Sequence, residues 1–167
     1  ADVSRTGPVP VDDRSTAAPI RESLRGMNAL DRQIRTLDDL DAAWRVIDGG
    51  HGYAAPQLFA LQLDRDGYVL PNVVQVYDED PGAVADDLVA LLLAHLGEAL
   101  DDVAPGGSVA LMKARPGPAT LTDLDRRWCL ALHRGLVAAP FATRPLFYAT
   151  DANLGVVPPD LLVGTGN

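Results

Sequence analysis

The chain has 167 residues, 47% of them apolar and only 5% aromatic, and a formal charge of −9. That length suits one domain with a core of Leu, Val and Ala, and a global negative field repels nucleic acid phosphates. No apolar run approaches the roughly 18 residues of a membrane span, and a single cysteine, Cys129, excludes an internal disulfide and a CxxC metal pair.

Residues 1–19 are rich in Pro, Asp, Ser and Thr and read as a flexible tail. They hold no apolar stretch of the kind a secretory signal needs, and a cytoplasmic protein is expected. A single domain is expected over residues 20–167. Residues 20–34 are weakly helical, interrupted by Gly26. Thr36 caps a predicted helix, TLDDLDAAWRVID, in which Leu37, Leu40, Trp44 and Ile47 recur at helical spacing. Three Asp near its N-terminal half suit the helix dipole, and GGHG at 49–52 ends it.

A hairpin follows. LFALQL at 58–63 is a predicted strand, Asp64 to Gly67 a turn in which Gly67 supplies a positive φ, and YVLPNVVQVY at 68–77 the return strand. Pro71 removes a ladder donor and marks an edge or a bulge. Residues 84–100 form the next predicted helix, with Val84, Leu88, Leu91, Leu92, His95, Leu96 and Ala99 on one face. His95 is thereby expected at the edge of the core. Residues 109–112 read as a buried strand, and Thr122 opens a helix over 123–138 whose inner face is Trp128, Cys129, Leu132 and Leu136. PLFYAT at 145–150 is a strand, with residues 155–157 a short partner. Helix, hairpin, helix, strand, helix, strand is the order of a three-layer α/β domain on a mixed sheet.

The segment KARPGPATLTDLD over residues 113–125 has the look of a site and contains the only lysine. Hairpin, helix, strand, proline-containing loop, helix and strand, together with LFALQLDRDGYVL, resemble the JAB/JAMM metalloprotease-like, deaminase-like fold. Within it they resemble the bacterial RadC-like proteins, over residues 55–157. That family's metal motif is His-x-His-Pro followed by Ser/Thr-x-x-Asp at a helix start. Pro116 matches the proline, and Thr122 to Asp125 match the Ser/Thr-x-x-Asp. Lys113 and Arg115 stand where the two histidines belong, and the loop to Thr122 is one residue shorter than in RadC. The family's zinc needs both imidazoles, the Asp, and a Glu to activate water. Two cations would repel the metal, and none of Glu22, Glu79 and Glu98 lies on a strand preceding the motif in the expected place. The resemblance therefore implies a degenerate, metal-free member, for which neither a cofactor nor hydrolase activity is expected. Thirteen Arg against one Lys, with abundant Ala, Asp, Gly and Pro, is a GC-rich coding bias that points to an actinobacterial source.

The candidate binding residues are Lys113, Arg115, Thr122, Asp125 and His133, which follows Asp125 by two helical turns. Lys113 and Arg115 are two apart on an extended strand end and point to one side. With the helix start at Thr122 they could form an anion or nucleotide-phosphate site. The plainer reading makes Thr122 an N-cap, Asp123 and Asp125 acids favoured by the dipole, and Lys113 or Arg115 a surface ion partner of Asp125, worth at most roughly 1 kcal/mol. Cys129 reads as inert packing, and Asp64 and Asp66 as turn residues rather than calcium ligands. The expected function is a non-catalytic interaction or regulatory module; the expected partner is another protein, with homo-oligomer formation left open.

Overall fold

The structure, a computed structural model, describes residues 29–77, 84 and 86–162. The tail expected over 1–19 and the beginning of the 20–34 helix lie outside them. The elements are α1 (Leu37–Asp48), β1 (Gln57–Leu63), β2 (Val74–Tyr77), α2 (Asp86–Val103), β3 (Ser108–Ala114), α3 (Asp123–Ala138), β4 (Ala142–Thr143), β5 (Phe147–Ala149), β6 (Leu154–Val156) and a 3-10 turn over Pro159–Leu161. Helix also covers 29–31, after which the chain leaves helical geometry, so the element expected to reach residue 34 stops earlier. Ile34 is instead pinned by its backbone N–H to Gly67 O at 2.8 Å.

Local chemistry explains the boundaries. Thr36 Oγ1 accepts from Asp39 N at 3.1 Å while Asp39 Oδ2 accepts from Thr36 N at 3.0 Å, a reciprocal cap for α1. Gly49 closes that helix at φ +65°, a conformation that spares only glycine a steric penalty. In the hairpin, Asp64 Oδ1 accepts from the N–H groups of Asp66 and Tyr68 at 2.9 and 3.0 Å, and Gly67 takes φ +93°. The return strand is broken. Leu63 bridges Val69, yet Ala60 pairs with Val74, so two extra residues sit on the return side around Pro71. Only Val74–Tyr77 continues as ladder, at the sheet edge.

The sheet has six strands and is mixed, in the order β2-β1-β3-β5-β6, with β4 also pairing with β3. β3 runs antiparallel to β1 and parallel to β4 and β5, while β6 is antiparallel to β5. β1 and β3 are buried along their whole length because both faces are covered. Alternation sorts β3: Val109 and Leu111 pack with the residues of α2 and α3, and Ala110, Met112 and Ala114 with those of α1. The result is a mixed α/β domain in three layers.

Two expected helix faces are corrected. In α1, Leu40, Ala43 and Trp44 are buried but Leu37 is 45% exposed. In α2 the buried residues are Val89, Leu93, Leu96, Gly97 and Leu100; Leu88, Leu91, His95 and Ala99 are exposed, so His95 is a surface residue. Leu88 and Leu91 extend the apolar surface of α2 beyond its buried stripe, so the spacing offers competing stripes. β4 and the 3-10 turn were not expected.

Candidate functional site

The end of β3, the first turns of α3 and the middle of β5 converge. Parallel pairing sets Tyr148 of β5 opposite Lys113 of β3, on the face beneath α3. One step beyond β3, Arg115 N donates to Ala149 O at 3.1 Å and keeps the chain extended, so Arg115 projects to the same side as Lys113. From above, α3 presents Asp125, Trp128 and Cys129.

Asp125 is placed by its own helix start. Its N–H donates to Thr122 Oγ1 at 3.2 Å, and its Oδ2 accepts from Thr122 N at 2.8 Å. Arg115 adds a bidentate pair, with Nη2 to Oδ2 at 2.8 Å and Nε to Oδ1 at 2.8 Å. The Tyr148 hydroxyl donates to Oδ1. Arg115 also donates from Nη1 to Pro116 O and from Nη2 to Thr120 O, both at 2.9 Å, and so holds the loop that leads into α3. The Asp125 side chain is 4% exposed and that of Arg115 15%, so the ion pair expected at the surface is a buried one.

Lys113 is 2% exposed, and its Nζ lies 4.9 Å from the centre of the Trp128 ring, a cation–π contact. Lys113, Arg115, Thr122 and Asp125 are thus gathered into one constellation. His133 is not among them. It is half-buried two turns further along α3 and lines a different groove with Leu37, Arg144 and Pro145.

Burial raises the pKa of Asp125, but hydrogen bonds from Arg115, Tyr148 and the Thr122 N–H outweigh it, and the carboxyl titrates below its ordinary value. Its hydrogen bond raises the Arg115 pKa, and burial followed by the Asp125 carboxylate raises that of Tyr148. Burial, and then the Asp125 charge, push the Cys129 thiol up to about 12. Cys129 is fully buried, so no thiolate is presented to reagents. A disulfide reagent such as DTNB at pH 8 is expected to leave it unmodified in the folded protein and to titrate one thiol after denaturation; rapid native labelling would contradict this placement.

Two residues of this region were missed. Tyr148 lies in an ordinary apolar strand, and only the parallel register aligns it with Lys113. Asp151 accepts from Gly117 N through Oδ2 and from Tyr53 N through Oδ1, both at 2.8 Å, so it ties the 113–125 loop to the segment after α1. These two bonds, Gly117's first, lower its pKa. No local motif signals either role.

The residues do not fit the zinc of the JAB/JAMM motif. The two histidine positions carry a lysine over a tryptophan ring and an arginine, and Asp125 is saturated by Arg115, Tyr148 and Thr122. Among the described residues no three His, Cys, Asp or Glu side chains cluster as a ligand set. A cleft of about 160 Å³ opens beside Tyr148 and is lined also by Leu121, Thr150, Asn153 and Gly155. No helix among the described residues is long and apolar enough to cross a membrane. No protein-family model matches the chain, and neither a curated protein nor a solved structure matches it.

Proposed function

We propose that the chain is a non-catalytic protein-interaction or regulatory module built on a metal-free JAB/RadC-like fold. The observation that carries this reading is the Arg115–Asp125 pair. The acid that would ligate zinc in the motif is here the acceptor of a bidentate arginine, buried under the first turn of α3. A carboxylate so engaged has no lone pair directed outward for a metal or a substrate. Lys113, under Trp128, fills the other ligand position with a cation. The mixed sheet and the hairpin–helix–strand–loop–helix–strand order agree with the fold.

An anion or nucleotide-phosphate site at Lys113, Arg115 and the Thr122 helix start draws less support. The guanidinium already donates to Asp125, Pro116 and Thr120, and the capping box occupies the helix start.

Metal analysis of the purified protein tests the reading. No stoichiometric zinc is expected, in either the natural chain or Asp125→Ala. One tightly bound zinc per chain, lost in Asp125→Ala, would overturn it.

A further inference from the structure

Away from the Arg115–Asp125 network, an apolar groove of about 480 Å³ lies between α2 and α3. Its geometry follows from how the two helices meet. An added Cβ at Gly135 would fall within 3 Å of Val89 and Leu93, and one at Gly97 within 3 Å of Phe141. β2 and β3 both pair antiparallel with β1 and are therefore parallel to each other, and β3 is parallel to β4, so α2 and α3, each crossing between parallel strands, run in the same direction. Gly135, in the last turn of α3, lies beside Val89 and Leu93, so α3 ends against the middle of α2 and its carbonyl-bearing end, which carries a negative partial charge, borders the groove.

The sequence reinforces that sign instead of compensating it. Neither helix has a basic residue in its last turn, and α2 closes with Asp101 and Asp102. Glu98 and Asp101 are exposed on the groove wall, and neither takes part in an ion pair among the described residues. Like charge at a helix's negative end works against the helix, and local rules are broken in this way where a surface serves a partner. The groove beside these acids is apolar, with Leu93 and Phe141 in its lining.

We propose that this groove docks a basic amphipathic helix of a partner protein. The shape selects a helix: the α2 wall runs from Ala90 to Asp101, about 16 Å, or three helical turns. Small side chains, Ala90 and Ala94 on α2 and Ala138 on α3, let a third helix approach closely. The charge selects its polar face: Arg or Lys at the rim meets Glu98, Asp101 and the carbonyl end of α3, while apolar side chains enter the floor. A second copy of this chain, with its net charge of −9, is a poor electrostatic match. The inference deepens the interaction-module reading and rests on it.

The probe is a synthetic Leu/Ala/Arg amphipathic helix of about 12 residues, titrated into the isotopically labelled full chain and followed by NMR. Shift changes are expected along Ala90–Asp101 and Gly135–Phe141. Affinity should fall about tenfold in Glu98→Lys/Asp101→Lys, and Ala94→Trp, which blocks the groove without altering charge, should abolish binding. Asp86→Lys/Asp87→Lys, at the far end of α2, should bind as the natural chain does. Equal binding of a peptide with every Arg replaced by Glu would overturn the proposal, as would a loss as large in the Asp86/Asp87 control. So would self-association through the groove, seen as a concentration-dependent mass that Ala94→Trp removes. Zinc in a chain that still binds the peptide would sink the metal-free reading and leave the groove standing.

Discussion

Asp125→Ala is expected to destabilise the domain by about 3–5 kcal/mol, the cost of breaking a buried ion pair by removing one partner. The alanine leaves Arg115, whose side chain is only 15% exposed, without the carboxylate that neutralises it. It also leaves the Tyr148 hydroxyl without its acceptor and frees the Thr122 N–H at the start of α3. Loss of a cap alone costs about 1 kcal/mol, but these effects share one carboxylate and will not add. Arg115→Met/Asp125→Leu should recover much of the loss, because replacing both charges by apolar groups removes the orphaned one. Urea denaturation of the three proteins measures this. A cost below about 1 kcal/mol for Asp125→Ala would return the pair to the class of exposed ion pairs. The pH dependence has a definite sign. The folded-state pKa of Asp125 is lowered, so its contribution is fully present above the unfolded value of about 3.9 and is lost as pH falls through the folded value. The natural chain should lose stability across that acid range more steeply than Asp125→Ala.

The same carboxylate shows what sequence can and cannot convey. Its cap was legible: Thr122 with an acid three residues on is a local pattern with a local cause, as is Thr36 with Asp39. Asp64 and Gly67 announced a turn for the same reason, and Pro71 announced the break in the return strand. Its burial was not legible. An Asp, an Arg and a Lys over residues 113–125 read as a solvated loop, because charged residues are rarely buried unless paired. The pairing depends on β5 coming to lie parallel beside β3, a contact made after a 16-residue helix has intervened. The face of α2 was missed for another reason. Leu88 and Leu91 suit an apolar stripe as well as Val89 and Leu93 do, and tertiary contacts, among them Gly135 of α3 against Val89 and Leu93, select between them. His133 illustrates the limit of helical spacing: two turns from Asp125 set it on a related face of α3 but some 12 Å along the axis, at another groove.

Trp44→Ala is expected to cost about 3–5 kcal/mol, the range for truncating a buried aromatic. Trp44 is fully buried and packs with Leu40, Phe147 and Leu154 against the face of the sheet opposite α2 and α3. Trp44→Phe separates two components of that side chain. Trp44 Nε1 is buried without a hydrogen-bond partner among the described residues, so the folded state carries the desolvation penalty of an unsatisfied donor. Phenylalanine gives up some packing volume but removes that penalty, and its cost should stay below about 1.5 kcal/mol. A partner for Nε1 in solution would add a lost hydrogen bond to Trp44→Phe and raise its cost above about 1.5 kcal/mol, and denaturation midpoints decide the matter. The consequence extends to the sheet edge. Arg45, the next residue, is held by Asp41 at 2.6 Å and donates from Nη2 to Leu154 O at 3.1 Å, covering a carbonyl of β6. A strand edge without such cover is open to pairing with other chains. If α1 is seated by Trp44, Trp44→Ala should raise amide exchange in α1 and β6 well before it does so in α3. Uniform loss of protection across all three would instead mean that the two cores on either side of the sheet unfold as one.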